Sequence, residues 1–245
     1  MYAQTTRSSS RRLLSSARRL NSASRSLHST PVASSSHLST HRTLASDAYT
    51  KSTDPDAPSV STTPDITPEQ RSALDAALRV DQAGEIAANW IYMGQYAVFS
   101  RDKNTRELIK EMWEQEKKHI NVMDKLQVQH RVRPTILADA ARAGGFLLGA
   151  GTALMSREAA MACTEAVETV IGEHYDDQLK EIEDLPNDHP SVPLLRKVIE
   201  EFRDDELEHL DIAVENYAQR APAHALLSTI VGAGCKVAIE LCKRV

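Results

Sequence analysis

The chain has 245 residues and a net charge of −5, enough for one sizeable domain with appendages. The charge is unevenly spread: residues 1–46 hold seven arginines and no lysine or acidic residue, so the remainder carries −12. An acidic domain is repelled by phosphate backbones, which argues against a nucleic-acid partner.

In chain order, residues 1–46 are Arg-rich, Ser-rich and free of acid, the composition of a mitochondrial transit peptide. Within them "RSLHST" (25–30) resembles a matrix-processing site, with a second trim near Ser34. Residues 47–67, rich in Pro, Ser, Thr and Asp, read as a disordered linker. The folded domain is expected over 68–245. Its cysteines (163, 235, 242) are odd in number and show no C-x-x-C spacing, as free thiols in a reducing compartment would.

"TPEQ" (67–70) predicts a capped helix start with a first-turn proline. The apolar stripe that follows runs Leu74, Leu78, Ala88, Tyr92, Tyr96 and Phe99, and Glu85 falls about 20° from its origin by the helical period. The second helix, about 104–130, places Ile109, Met112, Trp113, Ile120 and Met123 on one face with Glu116 among them. His119 lies one turn on, so both side chains can reach one point. A third helix, about 157–183, carries Glu168 in its stripe, with Glu165 at the edge and Glu173 outside. The fourth, about 191–217, repeats the second: Glu206 sits within Leu195, Ile199, Phe202, Leu210 and Ala213, and His209 sits at the border. Two uncharged segments, 143–156 and 223–234, each contain Gly-Ala-Gly. The chain therefore reads as two copies of one unit: a Glu helix, a Glu-x-x-His helix and an apolar helix.

A lone Glu-x-x-His on an amphipathic helix is most often a solvated pair. Four carboxylates and two imidazoles in matching phase are another matter. Each unpaired buried carboxylate costs several kcal/mol, and four exceed the roughly 5–15 kcal/mol by which a domain is stable. Arg203 is the only obvious cationic partner. Two divalent cations would neutralise the four glutamates, with both histidines as neutral ligands. One Glu from each of two helices and Glu-x-x-His from each of two others is the ligand pattern known from ferritin-like di-iron bundles. Oxygen-rich sites with one imidazole per metal suit iron or manganese, and thiolates, which favour zinc, are missing from the pattern. The expected fold is all-α: a ferritin-like four-helix bundle with two additional apolar helices, in duplicated three-helix halves.

The stretches "RVDQAGE" (79–85), "MWEQEKKH" (112–119), "AMACTEAVE" (160–168), "EHYDDQ" (173–178), "FRDDELEH" (202–209) and "GAGCKVAI" (232–239) resemble the 5-demethoxyubiquinone hydroxylase family of mitochondrial ubiquinone biosynthesis. The likeness covers about 69–245. It implies two iron ions held by Glu85, Glu116, His119, Glu168, Glu206 and His209, the six residues that helical phase also selects. It further implies a monooxygenase that hydroxylates the benzoquinol ring of a polyprenylated precursor, using O2 and electrons from NADH. His174 and Tyr175 match a family pair that assists electron or proton delivery. There is no G-x-G-x-x-G motif in strand context, so any NADH contact would be non-Rossmann.

The resemblance also implies work in a ubiquinone-biosynthesis complex with a lipid-binding accessory protein, on the matrix side of the inner mitochondrial membrane. Fourteen uncharged residues at 143–156 fall short of the about 20 that span a bilayer. Such a segment could insert a hairpin or lie in the interface, with Arg142 and Arg157 at head-group level, or be a sixth core helix of a soluble bundle. The alternatives are a ferritin-like iron-storage protein and a non-catalytic lipid-binding scaffold.

Overall fold

The structure is a computed structural model and describes residues 44–245. The expected transit peptide lies outside the described residues except at its last three positions. The described chain is helical: α1 (Asp47–Thr50), α2 (Pro68–Val98), α3 (Lys103–His130), α4 (Ala138–Met155), α5 (Arg157–Glu181), α6 (Ser191–Glu215) and α7 (His224–Cys242). Among these residues there is no strand.

Local chemistry sets the helix ends. Thr67 and Gln70 form the reciprocal capping box ahead of Pro68 that "TPEQ" predicts. Asp102 caps α3 by accepting from the Thr105 amide, and Ser156 caps α5 by accepting from the Ala159 amide. Helix α3 ends as Arg131 turns to φ 55°, in the left-handed region.

Helices α2, α3, α5 and α6 form a ferritin-like four-helix bundle, in which α3 pairs with α2 and α6 pairs with α5. One end is filled by Leu74, Leu78, Met123, Leu126, Leu195 and Phe202, and the other by Tyr92, Ile109, Met112, Met161 and Ala213. The apolar helices lie outside this bundle, α4 on α2 and α7 on α5. The chain order thus gives two three-helix halves, α2–α4 and α5–α7.

The halves are packed unequally. A Cβ on Gly149 would stand 2.0 Å from the Ile91 carbonyl oxygen, and one on Gly145 would stand 2.5 Å from that of Ala87. Across the seam, a Cβ on Gly94 would meet the Phe146 carbonyl at 2.5 Å. Helices α2 and α4 therefore touch backbone to backbone, which only glycine permits. Gly144 and Gly151 face open space. In the second half Gly232 makes only an ordinary 3.6 Å contact with Val170 and Gly234 meets nothing, so α7 packs on α5 by side chains.

Both apolar helices extend beyond the uncharged runs that reveal them. Helix α4 begins five residues before 143, with Asp139 and Arg142 paired at 2.5 Å in its first turns. Helix α7 continues eight residues past 234 and is long and apolar enough, by length and composition, to cross a membrane, with little of it buried. Arg157 is not free for a head group: it opens α5 and donates to Asn216 at 2.5 Å.

Residues 47–67 differ from the disordered linker that composition predicts. Tyr49 is buried in the core with Leu74, Val122 and Leu195, and its hydroxyl donates to Gln129 at 2.6 Å. Gln129 in turn donates to the carbonyls of Pro58 and Ser61 at 2.8 and 2.7 Å. Upstream, the Ser46 amide and hydroxyl both donate to Glu201, at 3.0 and 2.5 Å, and Lys118 reaches the same carboxylate at 2.7 Å. One aromatic anchor and satisfied backbone groups hold this polar segment as a strap over α3 and α6.

Candidate metal centre

All six residues selected by helical phase meet in the middle of the bundle. Glu85 comes from α2, Glu116 and His119 from α3, Glu168 from α5, and Glu206 and His209 from α6. Each is at most 3 % exposed. Their ligand atoms form two sets, Glu85–Glu116–His119–Glu206 and Glu116–Glu168–Glu206–His209, with the atoms of each within 4.8 Å of one another. The sets share Glu116 and Glu206, so two carboxylates stand where they could bridge two ions. Each remaining set member, Glu85 with His119 or Glu168 with His209, serves one side.

The imidazoles are turned inward in the same way. His119 Nδ1 lies 3.3 Å from Glu85 and 3.2 Å from Glu206, while its Nε2 faces Asp205 at 3.1 Å. His209 Nδ1 lies 3.3 Å from Glu116 and 3.2 Å from Glu206, while its Nε2 faces the Gln115 side-chain oxygen at 2.5 Å. An Nε2–H given to an outer acceptor leaves the Nδ1 lone pair pointing into the cluster, the arrangement that orients metal-bound histidines. Phe202 stacks on the His119 ring at 3.9 Å. Tyr92 donates to Glu168 at 2.7 Å and Tyr175 donates to Glu85 at 2.5 Å, each fixing one carboxylate oxygen.

Most of the other carboxylate oxygens are unsatisfied. Both oxygens of Glu116, Oε2 of Glu85, Oε2 of Glu168 and Nδ1 of His119 are buried without a hydrogen-bond partner. Although His119 Nδ1 is close to two carboxylates, the angles are not those of a hydrogen bond. Buried acceptors left bare in a group facing one point fit divalent cations, and oxygen-rich sites with one nitrogen each suit iron or manganese.

The electrostatics agree. Burial and the neighbouring Glu206 and Glu85 push Glu116 up to about 8. Burial, with Glu206 and Glu116 nearby, drives Glu168 well above the carboxylate range. Burial would lower both histidines, but the carboxylates around them outweigh it and hold both well above the usual imidazole value. Burial would likewise raise Glu206, yet His119 and His209 together pull it below its ordinary range. Without an ion the cluster can only share protons among mutually repelling groups.

The remaining expectations sort cleanly. Arg203 does not neutralise the cluster; it pairs on the surface with Asp176 and Asp204 at 3.0 and 2.8 Å. Glu165 and Glu173 also stay outside, paired with His224 and Lys236 at 2.6 and 3.2 Å. His174 and Tyr175 line a narrow cleft along the α2–α5 seam, which Glu85, Glu168 and Glu206 also line. Sequence reasoning missed Tyr92 as a partner of Glu168, Asp205 and Gln115 as supports of the histidines, and Asp81 beside His174. Tyr92 and Asp81 had a usable signal, since both lie on the face of α2 that carries Glu85. Asp205 and Gln115 had none, because each adjoins a ligand among ordinary surface charges.

The sequence profile of the family described as ubiquinone biosynthesis protein COQ7 matches residues 72–242. The chain is 47 % identical over 174 residues to the NADPH-dependent 3-demethoxyubiquinone 3-hydroxylase, mitochondrial, of Homo sapiens, covering 71 % of this chain and 79 % of that protein. It is 44 % identical over 186 residues to the 5-demethoxyubiquinone hydroxylase, mitochondrial, of Saccharomyces cerevisiae, covering 72 % and 80 %. To the 3-demethoxyubiquinol 3-hydroxylase of Rhodospirillum rubrum it is 44 % identical over 178 residues, covering 73 % and 81 %. With its profile matched across both halves of the bundle, the chain belongs to the COQ7 family of ubiquinone biosynthesis proteins.

Proposed function

We propose that this chain is a di-iron monooxygenase of ubiquinone biosynthesis that hydroxylates the ring of a demethoxyubiquinol. The observation that carries this reading is the pair of buried ligand sets sharing Glu116 and Glu206, in a chain whose relatives are named for that hydroxylation. Glu85, Glu116, His119, Glu168, Glu206 and His209 would hold the ions. When iron is held there, it would supply the two-electron reduction of O2 that insertion of one oxygen into a ring C–H bond requires, the second oxygen being released as water.

The protein's part is placement and shielding. Asp205 and Gln115 fix the two imidazoles, Tyr175 fixes Glu85, and Tyr92 fixes Glu168. Val80, Ala88 and Ile171 give the cleft an apolar lining that would keep water from a bound ring. His174 and Tyr175, at the same cleft, assist proton or electron delivery. The reductant is a reduced nicotinamide dinucleotide; NADH is the expectation from resemblance, and the human relative's name specifies NADPH.

A membrane supplies the substrate. Leu147 and Leu154 on α4, with Leu226, Ile230 and Val237 on α7, are each more than 60 % exposed. Leu148 of α4 and Leu227 and Val231 of α7 share one cluster with Ile91 and Val167, which puts both helices over the α2–α5 pair. Their outward faces suit lipid, and the cleft runs along the same pair, so a polyprenyl tail can stay in the bilayer while its ring enters. The setting is the matrix side of the inner mitochondrial membrane, after import on the Arg-rich N-terminal segment and a processing step, within a biosynthetic complex that includes a lipid-binding accessory protein. The human and yeast relatives carry "mitochondrial" in their names.

The test is anaerobic reconstitution with ferrous iron, metal analysis, then O2 and demethoxyubiquinol with mass spectrometry of the quinone. The expected result is about two irons per chain and a product one oxygen heavier. Mineral accumulating on the protein without quinone oxidation would replace this reading with iron storage.

A further inference from the structure

The cleft holds one more buried carboxylate that neither ligand set includes. Asp81 lies one turn before Glu85 on α2, with its side chain fully buried, and His174 is its only basic partner among the described residues. Its Oδ1 is 3.2 Å from His174 Nε2, and its Oδ2 accepts from Gln178 Nε2 at 2.6 Å. His174 and Gln178 are four apart on α5, so both reach the carboxylate from one helix face. Between them in sequence, Tyr175 donates to Glu85. Neighbouring residues of α5 thus grip successive turns of α2.

Such a pair is costly as packing. A hydrophobic pair of similar volume would hold the α2–α5 seam at least as well as a buried carboxylate and imidazole. Burial pushes Asp81 upward, and the His174 and Gln178 donors pull against it. What the pair provides is orientation. An imidazole that donates from Nε2 has Nδ1 as its one acceptor.

We propose that Asp81, aided by Gln178, is a positioning residue for His174: it holds Nε2 as a donor, so that the ring exchanges protons with a quinol hydroxyl through Nδ1. A proton taken from the hydroxyl onto Nδ1 gives an imidazolium whose charge Asp81 balances; its release to water restores the neutral ring, and no electrons move. The arrangement is that of a general base held by a carboxylate behind it. It deepens the hydroxylase reading and rests on it for the quinol.

The first test needs neither iron nor substrate. Nitrogen-15 spectra of the histidine-labelled full-length chain, with the His174 signals assigned by their loss in His174→Gln, should show Nε2 protonated and Nδ1 bare. An Nδ1–H ring in the wild type overturns the proposal, whatever the outcome for the hydroxylase reading. In the iron-loaded enzyme, Asp81→Asn should lower kcat by about 10²-fold. KM should stay within about threefold, and Asp81→Glu should recover part of the loss. Placed in a His174→Ala background, Asp81→Asn should cost nothing more. An equal cost with and without His174 means that Asp81 acts independently, and refutes the positioning role. If Asp81→Asn does not fold, Gln178→Leu in the same two backgrounds gives the same decision.

Discussion

Replacing Glu116 with glutamine should stabilise the metal-free protein while abolishing its response to iron. Glu116 is raised to about 8 from an ordinary 4.5 by burial and by Glu206 and Glu85. Between those values the folded state keeps a proton that the unfolded chain has lost, so stability falls as pH rises from about 4.5 to about 8. At pH 7 some 2.5 of the 3.5 units have been crossed, a cost of roughly 3 kcal/mol at about 1.4 kcal/mol per unit. Glutamine has the same shape and no charge, so it escapes that cost. Glu168, His119 and His209 are also raised and lose stability in the same direction, and they remain in the variant. The pH slope should therefore shrink, not vanish.

The assay is thermal unfolding followed by far-ultraviolet circular dichroism at pH 5 and pH 8, with chelator and then with anaerobic ferrous iron. Without metal, the variant should melt roughly 10–15 °C above wild type at pH 8, where the cost rises to about 4 kcal/mol, and close to it at pH 5. With iron the order should invert, because ligand binding stabilises only a protein that holds the ion. A variant less stable than wild type by the same margin at both pH values would refute the reasoning. It would mean that Glu116 is satisfied in the metal-free fold and is not a carboxylate awaiting a cation.

Asp205→Asn should weaken iron binding by about 10- to 100-fold with the helical spectrum unchanged, since Asp205 only sets which nitrogen of His119 faces inward; dialysis against graded chelator measures it. Leu226→Asp with Ile230→Asp removes two exposed side chains worth roughly 1.5–3 kcal/mol each if buried in lipid. The double variant should leave the pellet in vesicle sedimentation while its melting temperature stays put. Tyr49→Ala should cost about 3 kcal/mol or more by chemical denaturation, as for a buried aromatic and not a linker residue. By the same reasoning, protein recovered from mitochondria should begin upstream of Ser46, because Glu201 uses both the amide and the hydroxyl of that residue.

The helical period decided most of the site before any coordinates. A carboxylate inside an apolar stripe is expensive, and Glu85, Glu116, Glu168 and Glu206 recur in that phase with histidines three residues after two of them. Periodicity marks which residues enter the core, and the 90-residue offset between the Glu-x-x-His pairs marks two equivalent halves, so the bundle and its six inward groups follow from sequence alone. Composition misjudged the strap at 47–67, because a polar segment can be ordered by one buried tyrosine and a glutamine far along the chain. It also cut α4 and α7 short, since a helix does not end where charge begins.

Which atoms meet was left to the tertiary structure. No spacing rule says that Glu116 and Glu206 belong to both ligand sets, that Asp205 and Gln115 turn the histidines, or that Asp81 holds His174 from the next helix. Those relations depend on how far one helix is rotated and shifted against another, and side-chain packing sets that across residues tens of positions apart. Backbone contact at Gly145, Gly149 and Gly94 fixes α4 on α2 in this way, while the matching glycines of α7 leave it free of such a constraint. A duplicated sequence pattern thus determined two like halves, and packing alone decided that they are not identical.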